Sequence, residues 1–232
     1  HSVVRRQRQM CIRDSKTAAI LIEPIQGEGG IRPIPEQCLQ GLRKTCDEKG
    51  ILLILDEVQC GFGRTGKLFA HEWSEIEPDI MMVAKGIGGG FPLGAVMAKE
   101  TAAIGMTAGT HGSTYGGNPL GCAVGLKVMD IISNPNFLND VNHKAKRFYH
   151  GLQGLLKKNT SVFEEVRGKG LMIGLKCKVQ NTDFVNACYA NNLLTVPAGD
   201  NVVRLLPPLT VSDTEIDVAL EKLESAMTIF SK

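Results

Sequence analysis

The chain has 232 residues, 43% hydrophobic and 22% charged, an ordinary globular composition with length for one large domain or two smaller ones. Its formal charge of +2 rests on residues 1–15, which hold four arginines and one aspartate; the remainder carries 22 bases against 23 acids, so no basic nucleic-acid surface is implied. No apolar run approaches the ~18 residues of a membrane span, and the seven cysteines (Cys11, Cys38, Cys46, Cys60, Cys122, Cys177, Cys188) are odd in number and never spaced C-x-x-C. That pattern argues against a disulfide framework or a zinc site and suits a reducing cytoplasm.

Residues 1–15 are Arg/Gln-rich without helical or strand period, and the text changes character at Lys16. They are expected to be foreign to the fold, and the lack of an initiator methionine suggests a fragment. From residue 17, short apolar runs alternate with helical patterns, the signature of βαβ units around a parallel sheet. TAAILIE (17–23) predicts a buried strand ended by Pro24. A helix follows over 35–50, with Leu39, Leu42 and Cys46 at helical spacing, Pro35 at its start and Gly50 at its end. ILLILD (51–56) predicts a central parallel strand, apolar on both faces.

PDIMMVAK (78–85) and LGAVMAK (93–99) predict two more strands, and 118–132 a helix with Asn118 as cap and Pro119 in its first turn. Asn134-Pro135-Asn136 marks a boundary. Beyond it come a polar amphipathic helix (137–158), strands near 162–167 and 171–177, a short helix (181–190), strands near 193–196 and 202–206, and a last helix (212–228). Residues 166–170 predict a tight turn. The expected organisation is a large α/β part over 16–133 and a smaller α+β part over 134–232.

Asp56-Glu57 at the end of an apolar strand, followed by Gly61-x-x-x-x-Gly66-Lys67, has the look of a nucleotide hydrolase. The phosphate loop fails at Leu68, where Ser or Thr should hold magnesium, and it stands after the acidic strand instead of before a helix. A solvent-exposed strand-end carboxylate pair is the plainer alternative.

Lys85 suggests another use for Asp56. It ends the next strand ahead of a glycine-rich turn, and in parallel sheets ligands bind at the carboxyl ends of strands. Partial desolvation there would lower its pKa and make it a Schiff-base nucleophile. Pyridoxal 5'-phosphate needs such a lysine, a carboxylate against its ring nitrogen, and donors for its phosphate. Asp56 and Lys85 supply the first two, and GTHGSTYGGNP (109–119) offers Ser113 and Thr114 before a helix N-terminus.

EPIQGEGG (23–30), LDEVQCGFGRTGKLFA (55–70), PDIMMVAKGIGGGFPLGA (78–95), GTHGSTYGGNPLGCAV (109–124) and RLLPPL (204–209) together resemble the class III, fold-type I aminotransferases, in the family's order over 16–231. The resemblance implies a pyridoxal-phosphate fold in which Lys85 is the Schiff-base and proton-moving lysine and Asp56 partners the ring nitrogen. Val58 would pack on the ring and Gln59 donate to its phenolic oxygen. Thr114 would contact phosphate across a homodimer interface, with Ser113 a neighbouring substrate contact. Arg204 would receive a substrate carboxylate, which its planar fork suits, and Glu28 would pair with Arg204 or release it. Glu23, His71 and His111 are expected to be structural.

The THGSTYGGNP wording favours the ornithine group of the family over 4-aminobutyrate. The activity implied is transfer of the δ-amino group of N-acetylornithine to 2-oxoglutarate, with ornithine, succinylornithine or another ω-amino donor as alternatives. Family members carry, upstream of the strand at 17, a glycine-serine phosphate loop, a ring-stacking aromatic and a second substrate-binding arginine. Their absence here leads us to expect weak cofactor binding and poor turnover by this chain, with a non-catalytic fragment as the reading from another class.

Overall fold

A computed structural model describes residues 16–230, so the expectations for residues 1–15 lie outside the described residues. The first apolar run forms β1 (Ala19–Ile22). After Pro24 comes a hairpin, β2 (Ile25–Gln26) and β3 (Arg32–Pro33), which strands of two residues are too short to announce by periodicity. Helix α1 (Glu36–Lys49) begins behind Pro35 and ends on Gly50, whose φ of 63° is left-handed, as helix ends favour. Its Leu39 and Cys46 pack with Leu53 and Leu55 of β4 (Leu52–Asp56).

β4 lies between β1 and β5 (Ile80–Val83) and is parallel to both. A 3-10 turn, Ala70–Ser74, interrupts the connection from β4 to β5. The next strand, β6 (Ala95–Ala98), pairs antiparallel with β5, giving the sheet order β1-β4-β5-β6. Parallel neighbours need a crossover of about a dozen residues or more, usually helical. The connection 84–94 holds one short 3-10 turn, so the chain comes straight back.

After the short α2 (Glu100–Ala103), helix α3 (Pro119–Ile132) starts where Asn118 Oδ1 accepts from the Gly121 amide at 2.8 Å. The Asn134-Pro135 break is a second cap: Asn134 Oδ1 accepts from the Asn136 amide and Pro135 opens α4 (Pro135–Lys158), two residues earlier than its polarity suggests.

The remainder builds an antiparallel sheet of β7 (Phe163–Lys169), β8 (Met172–Cys177), β9 (Val196–Ala198) and β10 (Val202–Leu205), in the order β7-β8-β10-β9. Helices α5 (Asn181–Ala190) and α6 (Asp213–Met227) complete it. Phe148, Leu152, Phe184, Ile216 and Leu223 share one core with Leu175 and Val203.

Two expectations shift here. The turn expected over 166–170 is narrower, because β7 pairs as far as Lys169 with Met172, leaving Gly170-Leu171 to reverse the chain. The strand expected near 193–196 lies at 196–198 and includes Pro197, which an edge strand tolerates.

Candidate functional site

The two parallel strands β4 and β5 end side by side, with Asp56 opposite Met82 in register, and this brings Asp56 and Lys85 to one end of the sheet. Asp56 Oδ1 accepts from the Val58 amide at 3.0 Å, and no other hydrogen bond within the described residues engages the carboxylate. Lys85 opens a 3-10 turn, Lys85–Gly88, with φ at 49°. A left-handed conformation in a residue other than glycine costs on the order of 1 kcal/mol and marks a constrained position. The next residue shows the constraint: a Cβ on Gly86 would lie 2.9 Å from Phe62 Cβ.

Lys85 is exposed. The burial expected to desolvate its amine is therefore not supplied by residues 16–230.

That cleft, of about 660 Å³, is lined by Glu28, Val58, Gln59, Lys85 and Arg204, with Ile132, Phe137 and Leu209 among its apolar residues. Asp56 does not itself line it. β10 carries Arg204, which is only 7% exposed yet points its guanidinium at the cleft. Arg204 Nη1 donates to Glu28 Oε1 at 2.5 Å and to Gln59 Oε1 at 3.4 Å, and Nη2 donates to the Pro197 carbonyl at 3.2 Å. Its buried Nε has no hydrogen-bond partner among the described residues.

Glu28 is the opposite kind of partner, with a side chain 71% exposed, at the tip of the β2–β3 hairpin. The hydrogen bond from Arg204 holds its carboxyl below the usual glutamate range, aided by the charges of Arg204 and Lys85 and by Gln59. Gln59 Nε2 donates to Glu28 Oε1 at 3.4 Å, so the amide expected to face a cofactor oxygen joins the Glu28–Arg204 pair instead. Both Gln59 contacts are long for hydrogen bonds. Gly27 makes room for the amide, since a Cβ there would sit 2.4 Å from Gln59 Oε1.

Ser113 and Thr114 are not brought to this cleft. They lie in an exposed segment ahead of α3, where Ser113 Oγ accepts from the Gly116 amide.

The other half of the acidic pair had no role foreseen for it. Glu57 is buried and is no solvent-facing carboxylate: it accepts from the amides of Ala70 at 2.6 Å and His71 at 2.8 Å and lies 2.7 Å from His71 Nδ1. It ties the start of the 3-10 turn to the end of β4, and His71 is structural as expected. Glu23 is too, accepting from the Gly27 amide at 3.0 Å. Arg64, read only as part of a near-miss phosphate loop, donates to the carbonyls of Pro207 and Leu171 and fastens the loop after β4 to the segment that follows Arg204. Among the described residues no group of acidic, histidine or cysteine side chains could hold a metal ion, and no helix is long and apolar enough to cross a membrane.

A family model for class III aminotransferases matches residues 3–227. The chain belongs to the class III aminotransferases. Among curated members of the family, acetylornithine aminotransferase of Rhodobacter capsulatus is 63% identical over 210 residues, 90% of this chain and 53% of the relative. That of Mesorhizobium japonicum is 60% identical over the same shares. The chain thus spans about half the length of these relatives. Among solved structures, ornithine aminotransferase of Plasmodium yoelii superposes with a TM-score of 0.90 at 31% identity, over 97% of this chain and 60% of that one. N-acetylornithine aminotransferase of Stenotrophomonas maltophilia gives 0.87 at 35% identity over the same shares. The chain therefore has the fold-type I architecture of this family.

Proposed function

We propose that this chain serves a pyridoxal 5'-phosphate aminotransferase that moves the δ-amino group of N-acetylornithine to 2-oxoglutarate. The observation that carries it is the cluster of Glu28, Gln59 and Arg204 facing Lys85 across one cleft. The names of the relatives at 60–63% identity supply the donor.

The residues at this end of the sheet fit the cofactor's ring. An amine on a constrained backbone, an apolar Val58 on the cleft wall and a carboxylate with an unengaged oxygen are the groups its ring requires. Lys85 would hold it, Asp56 would face its ring nitrogen and Val58 its ring face. When bound, the cofactor withdraws electrons from the substrate carbon that carries the nitrogen. Lys85 Nζ, standing at the cleft, would take up the proton that leaves that carbon and hand it on.

Arg204 and Glu28 let one site take two substrates. For a donor entering by its distal amine, Arg204 stays neutralised by Glu28. For a dicarboxylate such as 2-oxoglutarate, Glu28 swings out into solvent and the planar guanidinium receives the carboxylate. The location of Thr114 on an exposed segment away from this chain's own cleft suits a phosphate contact delivered to a second copy, hence a homodimer.

Borohydride reduction in the presence of pyridoxal phosphate, followed by peptide mass spectrometry, should mark Lys85 in the full-length gene product and fail in Lys85→Ala. The 232-residue chain, with Lys85 exposed, should be marked only weakly. Arg204→Lys in the full-length product should lower kcat/KM for 2-oxoglutarate by about 10- to 100-fold, the loss of a bidentate charged contact. Absence of any transamination of N-acetylornithine by the full-length product overturns the substrate assignment.

A further inference from the structure

The hairpin that carries Glu28 belongs with the large sheet in sequence, yet it is held by the small one. Glu28 accepts a hydrogen bond at its carbonyl oxygen from the Gly199 amide at 2.9 Å. Two residues on, the Gly30 carbonyl accepts from Arg167 Nε of β7 at 2.9 Å. Arg167 Nη2 in turn donates to Asp200 Oδ2 at 2.7 Å, and Arg32 of β3 reaches the same oxygen at 2.6 Å. Lys176 of β8 takes the other oxygen at 2.6 Å. One carboxylate thus gathers three cations from two hairpins.

The approach is close enough to exclude side chains. Gly30 has φ at 104°, and a Cβ there would lie 2.5 Å from the Gly199 carbonyl oxygen. Asp200 and Asn201 are both left-handed, at 57° and 54°, and Asn201 is pinned by its own side chain to the Cys177 and Val179 carbonyls at 2.8 and 2.7 Å. The result is a fixed backbone beneath an exposed side chain: Glu28 is anchored at its carbonyl while its side chain is 71% exposed.

We propose that Arg167 and Asp200 are positioning residues that fix the pivot of Glu28, so that its carboxylate returns to Arg204 each time the site changes substrate. Neither touches Arg204 in the described structure; they act through the hairpin backbone. The proposal rests on the Glu28–Arg204 exchange put forward above. A latch matters there because Arg204 sits on β10 and Glu28 on a hairpin more than 170 positions earlier in the chain, joined at the site by one ion pair whose arginine is buried and whose glutamate is mostly exposed. Solvent at the glutamate weakens such a pair, so its geometry must be set from elsewhere.

The test follows the Glu28 side-chain carboxyl by carbon-13 NMR in the 232-residue chain, assigned by its loss in Glu28→Gln. In the unaltered chain its titration midpoint should lie below that of an ordinary glutamate and rise in Arg204→Met. In Asp200→Asn it should rise in the same direction, with no additional rise when Asp200→Asn is combined with Arg204→Met. A midpoint unchanged by Asp200→Asn while Arg204→Met raises it overturns the latch and leaves the ion pair standing. A midpoint unchanged by Arg204→Met overturns the pairing itself, and the proposed substrate exchange with it. Should Asp200→Asn unfold by circular dichroism, Arg32→Gln, which removes a half-exposed cation from the same oxygen, reads the same coupling.

Discussion

Lys85 and Glu57 show how differently two charged side chains at one sheet end are used. Lys85 is exposed and backbone-constrained, a group waiting for a partner, whereas Glu57 is buried and fully spent on two amides and an imidazole. Glu57→Ala should cost about 3 kcal/mol in urea unfolding, because it leaves buried amides unpaired. Asp200 gives a prediction with a sign. Hydrogen bonds from Lys176 and then Arg167 hold its carboxyl far below the usual aspartate range. A depressed folded pKa contributes stability that is complete above the unfolded value of about 3.9 and is lost as pH falls through the folded one. Asp200→Asn should therefore flatten the fall in stability below about pH 4, measured by denaturant unfolding at successive pH values. An unchanged acid limb counts against the three-cation network.

At the level of elements, the two hairpins are tied together beside the cleft through Arg167 and Asp200. The β7–β8 hairpin needs Gly168, with φ at 131° and a missing Cβ that would lie 2.0 Å from the Met172 carbonyl oxygen. Gly168→Ala should cost at least about 2 kcal/mol and, by displacing Arg167, weaken the hold on Gly30; amide exchange at Gly199 reads that second effect. The large sheet, in the order β1-β4-β5-β6, contributes the segments that follow β4 and β5 to the cleft. Its parallel members were legible because ILLILD is apolar at five successive positions, as strands covered on both faces are. The antiparallel return of β6 was not, since strand direction depends on the length and path of a connection whose glycine-rich text has no periodicity.

Across the whole molecule, the small sheet and its helices hold a core of their own centred on Phe184, Leu223 and Ile216. Phe184→Ala should cost about 3–5 kcal/mol by thermal or urea unfolding, the range for a large buried aromatic. The large sheet is less covered. Ile104, Tyr115, Leu120 and Leu126 are each more than 60% exposed, around the segment that bears Ser113 and Thr114. If that face meets a second copy, as the homodimer proposal requires, the full-length product should sediment as a dimer. Tyr115→Glu combined with Leu126→Glu should shift it toward monomer.

The proposal for the site began from local text, with Arg204 added by the resemblance. Lys85 ahead of GIGGG and Asp56 at a strand end are chemistry tied to local text, and α1, α3 and α6 carry their caps within a few residues of their ends. Short-range physics determines such features, so they survive without the fold. The pairing of Arg204 with Glu28 needed a resemblance to be foreseen, and Gln59 joining that pair, the burial of Glu57 and the grip of Arg167 and Asp200 on the Glu28 hairpin needed the tertiary structure. Each joins residues that are adjacent only after two sheets have packed, and distance in space between residues far apart in the chain is a property of packing that no local pattern encodes.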